Sequence, residues 1–130
     1  MRVLVRPLCF FVLVCGFAAT AQPQDAAAPP LNLLYWAPNS PSPTTGGVDA
    51  AAVQKAATGY TCTEVTLTVI DDKTGDTLDS YTESPPKAAT VSKSFAGLGS
   101  GVKVEVTADG TFQSGKTTDT KFITATVTTK

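Results

Sequence analysis

The feature that most constrains the fold is a regular alternation of apolar and polar residues that begins after Tyr60. In residues 64–70 (EVTLTVI) valine, leucine and isoleucine alternate with glutamate and threonine, and residues 102–108 (VKVEVTA) repeat the pattern. Alternation of this kind puts the apolar side chains of a segment on one face, which is typical of a half-buried β-strand. Weaker versions of the pattern predict three more strands, at residues 77–83, 89–95 and 119–127.

Turn signals separate these segments about every eight to twelve residues, and no long helical pattern lies between them. The spacing therefore predicts an antiparallel β-sandwich or barrel rather than βαβ units. Residues 71–76 (DDKTGD) and 109–116 (DGTFQSGK) are predicted turns, and the segment 77–83 is predicted to lie at a sheet edge. In residues 94–101 (SFAGLGSG) Leu98 is the one leucine among three glycines. We expect its side chain to pack into the core where the chain crosses between sheets.

The same stretch, SFAGLGSGVKVEVTADG with a serine in the following FQSG, resembles the later half of fibronectin type III and related immunoglobulin-like domains. The residues that carry the resemblance are Gly97, Leu98, Gly101 (or Gly99), Val104, Val106 and Ala108, and the preceding residues 64–84 are similar to the family's hairpin. The resemblance covers about residues 64–127 and implies an all-β, antiparallel immunoglobulin-like sandwich. Two departures stand out. The family's corner tyrosine is absent, with valine at 102 and 104, and Trp36 lies far upstream of the position of the early-strand tryptophan.

The first part of the domain is less regular. Residues 31–37 (LNLLYWA) are predicted to form a first strand, and residues 38–47 (PNSPSPTTGG) a loop. Residues 48–59 are rich in alanine and fit either a short helix, capped by Asp49 and ended by Gly59, or a strand in a core of small residues. We take residues 31–130 as one β-sandwich domain.

The N-terminus predicts export. Arg2 and Arg6 precede an apolar run at residues 8–19, and a small-x-small site ends at Ala21, so residues 1–21 are typical of a cleaved signal peptide. The run is shorter than the roughly 20 apolar residues that cross a bilayer. The alternatives are an uncleaved anchor and lipidation at Cys15, where Val14 is larger than the small residue a lipoprotein signal has before its cysteine. Residues 22–30 are an Ala/Pro/Gln-rich tether, and the mature chain is expected in the periplasm or at the cell surface, with no span of its own.

Composition excludes several chemistries. After removal of Arg2 and Arg6 the chain keeps eight lysines and all eleven acidic residues, so its formal net charge moves from −1 to −3. Nucleic-acid binding, which uses a basic stripe, is not expected. The chain has no histidine, so a Ser-His-Asp or Cys-His mechanism and a histidine zinc site are excluded, and no cofactor is expected. Cys62 is the one cysteine left after cleavage. We favour burial as a small hydrophobe, with an intermolecular disulfide or reactive thiol as the alternative.

Two groups of residues are candidate sites. Tyr35 and Trp36 are adjacent large aromatics, which either form a platform for a sugar or partner protein or pack in the core of the first strand. Of that strand, Leu31, Leu33 and Tyr35 would share one face, with Leu34 and Trp36 on the other.

The second group is the set of carboxylates at Asp71, Asp72, Asp76 and Asp79, which could hold Ca²⁺ or could simply bind backbone amides of a solvated turn. From these observations we expect a non-catalytic immunoglobulin-like module, not an enzyme, that binds a protein or glycan or serves as a structural cell-surface component. The alternative is a secreted calcium-dependent hydrolase, or an accessory subunit of one, that uses the aspartates between 71 and 79.

Overall fold

A computed structural model describes residues 31–130, and the predicted signal peptide and tether lie outside the described residues. In this part of the chain eight β-strands follow one another: β1 (Leu33–Trp36), β2 (Ser42–Thr44), β3 (Gly47–Lys55), β4 (Thr61–Asp71), β5 (Thr77–Glu83), β6 (Thr90–Phe95), β7 (Lys103–Ser114) and β8 (Thr117–Thr128). The described residues contain no helix long and apolar enough to cross a membrane.

The strands form two antiparallel sheets. The first sheet is built around β3, which pairs with β1 and β2 along one side and with β6 along the other. The second sheet has the order β5-β4-β7-β8, and β7 pairs with β8 along its whole length. The predicted edge position of residues 77–83 is confirmed, since β5 is the outermost strand beside β4.

The inward faces of both sheets contribute to one hydrophobic cluster. Nine of its large members are fully buried, and their burial contributes roughly 1.5–3 kcal/mol per side chain. From the first sheet come Val48, Val91 and Phe95, and from the second Val65, Leu67, Val69, Val104, Val106 and Phe112. Two antiparallel sheets that share one core are compatible with the predicted β-sandwich.

Residues 96–102, which we call the glycine corner, join the first sheet to the second, because β6 ends before them and β7 begins after them. Gly97, Gly99 and Gly101 all have φ between 70° and 95°, a region that glycine enters without a Cβ penalty. Leu98 is half-buried and packs against the core, as predicted. Thr129 secures the corner from the end of the chain: its hydroxyl donates to the carbonyl oxygen of Gly99 at 2.6 Å, and its oxygen accepts the Val102 N–H at 2.9 Å.

Two sequence-based expectations are wrong. Of the two interpretations of residues 48–59, the helix capped by Asp49 is wrong and the strand in a core of small residues is confirmed, since residues 47–55 are strand β3, with the buried Ala50 and Ala52 at inward positions. Residues 109–114 are not a turn either, because β7 continues to Ser114 and the turn is confined to the next two residues. There the buried Gly110 and Phe112 continue the inward face of the strand, so packing overrides the turn propensity of the sequence.

Candidate ligand-binding cleft on the first sheet

The outer face of the first sheet carries small and polar side chains in paired rows. On β3, Val48, Ala50 and Ala52 point into the core, so that the residues between them point outward. Asp49 is flanked by Ser42 on β2 and by Ser94 on β6, and the next outward residue, Ala51, is opposite Ser92. The row after that consists of Tyr35, Val53 and Thr90. Because most of these side chains are short, they leave a hollow in the middle of this face, with room for a ligand.

Residues 37–41, which connect β1 to β2, lie beside these rows and form a wall along them. Ser40 ties it to the sheet, since its Oγ accepts the N–H of Ala51 at 2.7 Å, and the N–H of Ala37 donates to the carbonyl oxygen of Ala51 at 2.9 Å. Asn39, at the tip, has φ of 62°, a left-handed conformation that asparagine tolerates better than most residues and that often marks a functional loop. The wall and the sheet border an open cleft of about 500 Å³, lined among others by Asn39, Ser40, Ser42, Asp49, Ser92 and Ser94.

The chemistry of this cleft, which we call the serine cleft, is that of hydroxyl groups and one carboxylate. The Ser94 hydroxyl donates to Asp49 Oδ1 at 2.6 Å, a short charge-assisted hydrogen bond. Lys93 also lines the cleft, but its ammonium lies 5.3 Å from the centroid of the Tyr81 ring, in a cation–π contact. A hydroxyl both donates and accepts, so the lining can bind a ligand that carries several hydroxyl groups.

The structure separates the two aromatic candidates. Tyr35 is on the outer face and remains 48% exposed, in line with Leu31 and Leu33, which are exposed as well. Trp36 points the other way and packs against the core, where its Nε1–H is buried without a hydrogen-bond partner. Of the two, Tyr35 is therefore placed to meet a ligand, and its row is adjacent to the serine cleft.

The four candidate metal ligands lie between the last residue of β4 and the first half of β5, and the carboxylates of three of them are engaged in local contacts. Asp71 Oδ1 accepts the N–H groups of Lys73 and Thr74, at 2.8 and 3.2 Å, and Asp72 forms an ion pair with Lys103. Asp79 accepts the N–H of Ser80. Over residues 31–130, no three His, Cys, Asp or Glu side chains come close enough together to hold a metal ion.

Three groups on the second sheet, Cys62, Asp109 and Asp119, have a pKa that departs from its ordinary value. Cys62 is a free, buried thiol that donates to the Glu64 carbonyl oxygen at 3.7 Å, and burial raises its pKa. Its predicted burial is thus confirmed. Partial burial also raises the pKa of Asp109, on the outer face of the second sheet. The pKa of Asp119 is lowered, mainly because Asn32 donates to its carboxylate at 2.9 Å.

Sequence reasoning missed the serine cleft. The available signal was the run of outward positions in VDAAAVQK and TVSKSF, where aspartate, alanine and serine stand in place of larger polar residues. Their pairing across β2, β3 and β6 depends on the register between strands, which the alternation alone does not give.

No family model, no curated protein and no solved structure matches this chain.

Proposed function

We propose that residues 31–130 form a fibronectin type III-like β-sandwich. The strand order supports this assignment: β1 and β2 together take the place of strand A, β3 that of B and β6 that of E, while β5, β4, β7 and β8 take the places of C′, C, F and G. The glycine corner then falls between strands E and F, and it holds Gly97, Leu98 and Gly101, which are among the residues that carry the resemblance. Since fold does not fix function, the function is argued from the site.

The function we propose is that of an exported, non-catalytic module that binds a glycan on the outer face of its first sheet. The observation that carries it is the serine cleft, with Ser42 and Ser94 on either side of Asp49 and with the exposed Tyr35 ring on the same face, close to the cleft. Sugars are bound by such combinations, in which polar groups contact hydroxyls and an aromatic ring packs against the apolar face of the sugar. Export is supported by the pattern of Arg2, Arg6 and the apolar residues 8–19.

The experiment is a glycan array probed with the exported chain, followed by titration calorimetry of the best ligand. Ser92→Leu should abolish binding, because Ser92 lines the serine cleft and is exposed, so that a leucine there fills the space without touching the core. Tyr35→Ala should weaken binding by about tenfold, the order of an aromatic contact of about 1.5 kcal/mol.

The matched control is Phe122→Ala, which removes an aromatic even more exposed than Tyr35 from the outer face of the second sheet. Binding should be unchanged in this variant. Failure of every glycan to bind, or binding that Ser92→Leu leaves intact, would overturn the proposal.

A further inference from the structure

The serine cleft has a charge that its own residues do not neutralise. Asp49 is the one acidic residue among those that line it, and the ammonium of Lys93 is engaged with Tyr81. The ion pairs found within residues 31–130 join Lys103 to Asp72 and Lys121 to Asp119, so Asp49 is not part of one. An ionised carboxylate can only accept hydrogen bonds, and its Oδ2 is left to receive a donor from a ligand.

The neighbouring serines reinforce this preference for a donor close to Asp49. The Ser94 hydroxyl already donates a hydrogen bond to Asp49, while Ser40 accepts the Ala51 N–H, so that the Ser40 hydroxyl can still donate to a ligand oxygen. The cleft therefore offers acceptors around Asp49 and donors nearer the wall. Its volume of about 500 Å³ is within the range of small-molecule sites and suits one or two sugar rings.

We infer that the serine cleft selects glycans whose sugar carries a protonated amine, with the ammonium bound by Asp49, over neutral glycans and above all over glycans that carry a carboxylate. This inference rests on the proposed function. An ammonium gains a charge-assisted hydrogen bond to the Asp49 carboxylate, whereas an anionic sugar meets like charge there. Ion pairs open to solvent are weak, so the expected preference for the amine over a hydroxyl is about fivefold.

The test compares three β-1,4-linked tetramers, of glucosamine, glucose and glucuronic acid, by calorimetry with the exported chain at about pH 6, where an amine is protonated. We expect the glucosamine tetramer to bind about fivefold more tightly than the glucose tetramer, and the glucuronic acid tetramer to bind most weakly. Asp49→Asn keeps the shape and the Ser94 contact, and should remove the preference. The control, Asp109→Asn, removes the same charge from the exposed outer face of the second sheet and should leave the preference intact.

The other possible outcomes distinguish failure of the inferred selectivity from failure of the proposed function. Equal binding of the amine and the hydroxyl tetramer, or a preference that persists in Asp49→Asn, would overturn the selectivity inferred here and leave glycan binding standing. If the wild-type chain binds none of the three tetramers and no sugar on the array, the proposed function fails and the selectivity fails with it.

Discussion

Gly47 offers the sharpest test of the packing between β3 and β6. A Cβ built on this residue would lie 2.1 Å from the backbone carbonyl oxygen of Phe95, whereas carbon–oxygen contacts normally begin near about 3.3 Å. Gly47→Ala therefore requires the two strands to separate by about 1 Å at this point. The Val48–Phe95 pair is the first rung of their ladder, so the displacement reaches a fully buried ring.

The expected loss in the free energy of unfolding follows from the contacts that this displacement disturbs. Truncating a buried phenylalanine to alanine costs about 3–5 kcal/mol, and we expect a shifted Phe95 ring to lose roughly half of that. The weakened hydrogen bonds at the end of the ladder add about 0.5–1.5 kcal/mol each. Against this, replacing glycine by alanine in a strand recovers about 0.5–1 kcal/mol. The free energy of unfolding should therefore fall by roughly 2–4 kcal/mol, equivalent to a drop in Tm on the order of 10–25 °C for a domain of this size.

The adjacent glycine provides the control. Gly46 has φ of 68° and open space around its Cβ position, so Gly46→Ala costs only the left-handed conformation, about 1–2 kcal/mol. Urea unfolding followed by the fluorescence of Trp36, the chain's single tryptophan, measures both variants. A Gly47→Ala variant within about 1 kcal/mol of the wild type, or one more stable than Gly46→Ala, would refute the close approach of β3 to the Phe95 carbonyl.

Three further predictions concern single polar groups. Asn32→Ala should lower the free energy of unfolding by about 1–3 kcal/mol, because it leaves the buried Ala57 N–H without an acceptor and removes the donor to Asp119; a change below about 0.5 kcal/mol in urea unfolding would contradict this. Trp36→Phe should change stability by less than about 1 kcal/mol, measured by circular dichroism, because the lost indole N–H has no partner, whereas Trp36→Ala should be clearly destabilising. Because burial raises the pKa of Cys62, the unfolded chain loses its thiol proton first as pH rises, so stability should decline above about pH 8.5. The decline should be smaller in Cys62→Ala, and equal pH dependence in the two proteins would contradict the prediction.

Much of the second half of the fold was predictable from the sequence, because alternation reports directly on a strand with one buried face. Residues 64–70 fall within β4, and residues 102–108 begin one residue before β7. The outward Tyr35 and inward Leu34 follow the alternation expected for the first strand. The alternation fails where side chains are small. In residues 48–59 alanine is compatible with helix and strand alike, and the strand β3 follows from its pairing with β1, β2 and β6, which local propensity does not report.

The candidate site was less predictable, for a different physical reason. Tyr35 attracted attention because it is aromatic, and the structure leaves it exposed. The side chains of the adjacent serine cleft are mainly serines with one aspartate, types common on any solvated strand. They form a site only because antiparallel pairing sets Asp49 beside Ser42 and Ser94 and because Ser40 holds the β1–β2 segment over the sheet.

The contrast between the two outer faces shows why the hollow forms on the first sheet. On the second sheet Thr107 points outward, between the inward Val106 and Ala108, yet it is only 4% exposed. Thr68 and Thr124 flank it at paired positions, and β-branched neighbours about 5 Å apart cover one another. The outward positions in the middle of the first sheet carry alanine and serine instead, at Ala51 and Ser92, and these small side chains leave the space open. Side-chain volume at a few outward positions therefore decides which face can hold a ligand, and enlarging those side chains should close the cleft while the core that supports the fold remains unchanged.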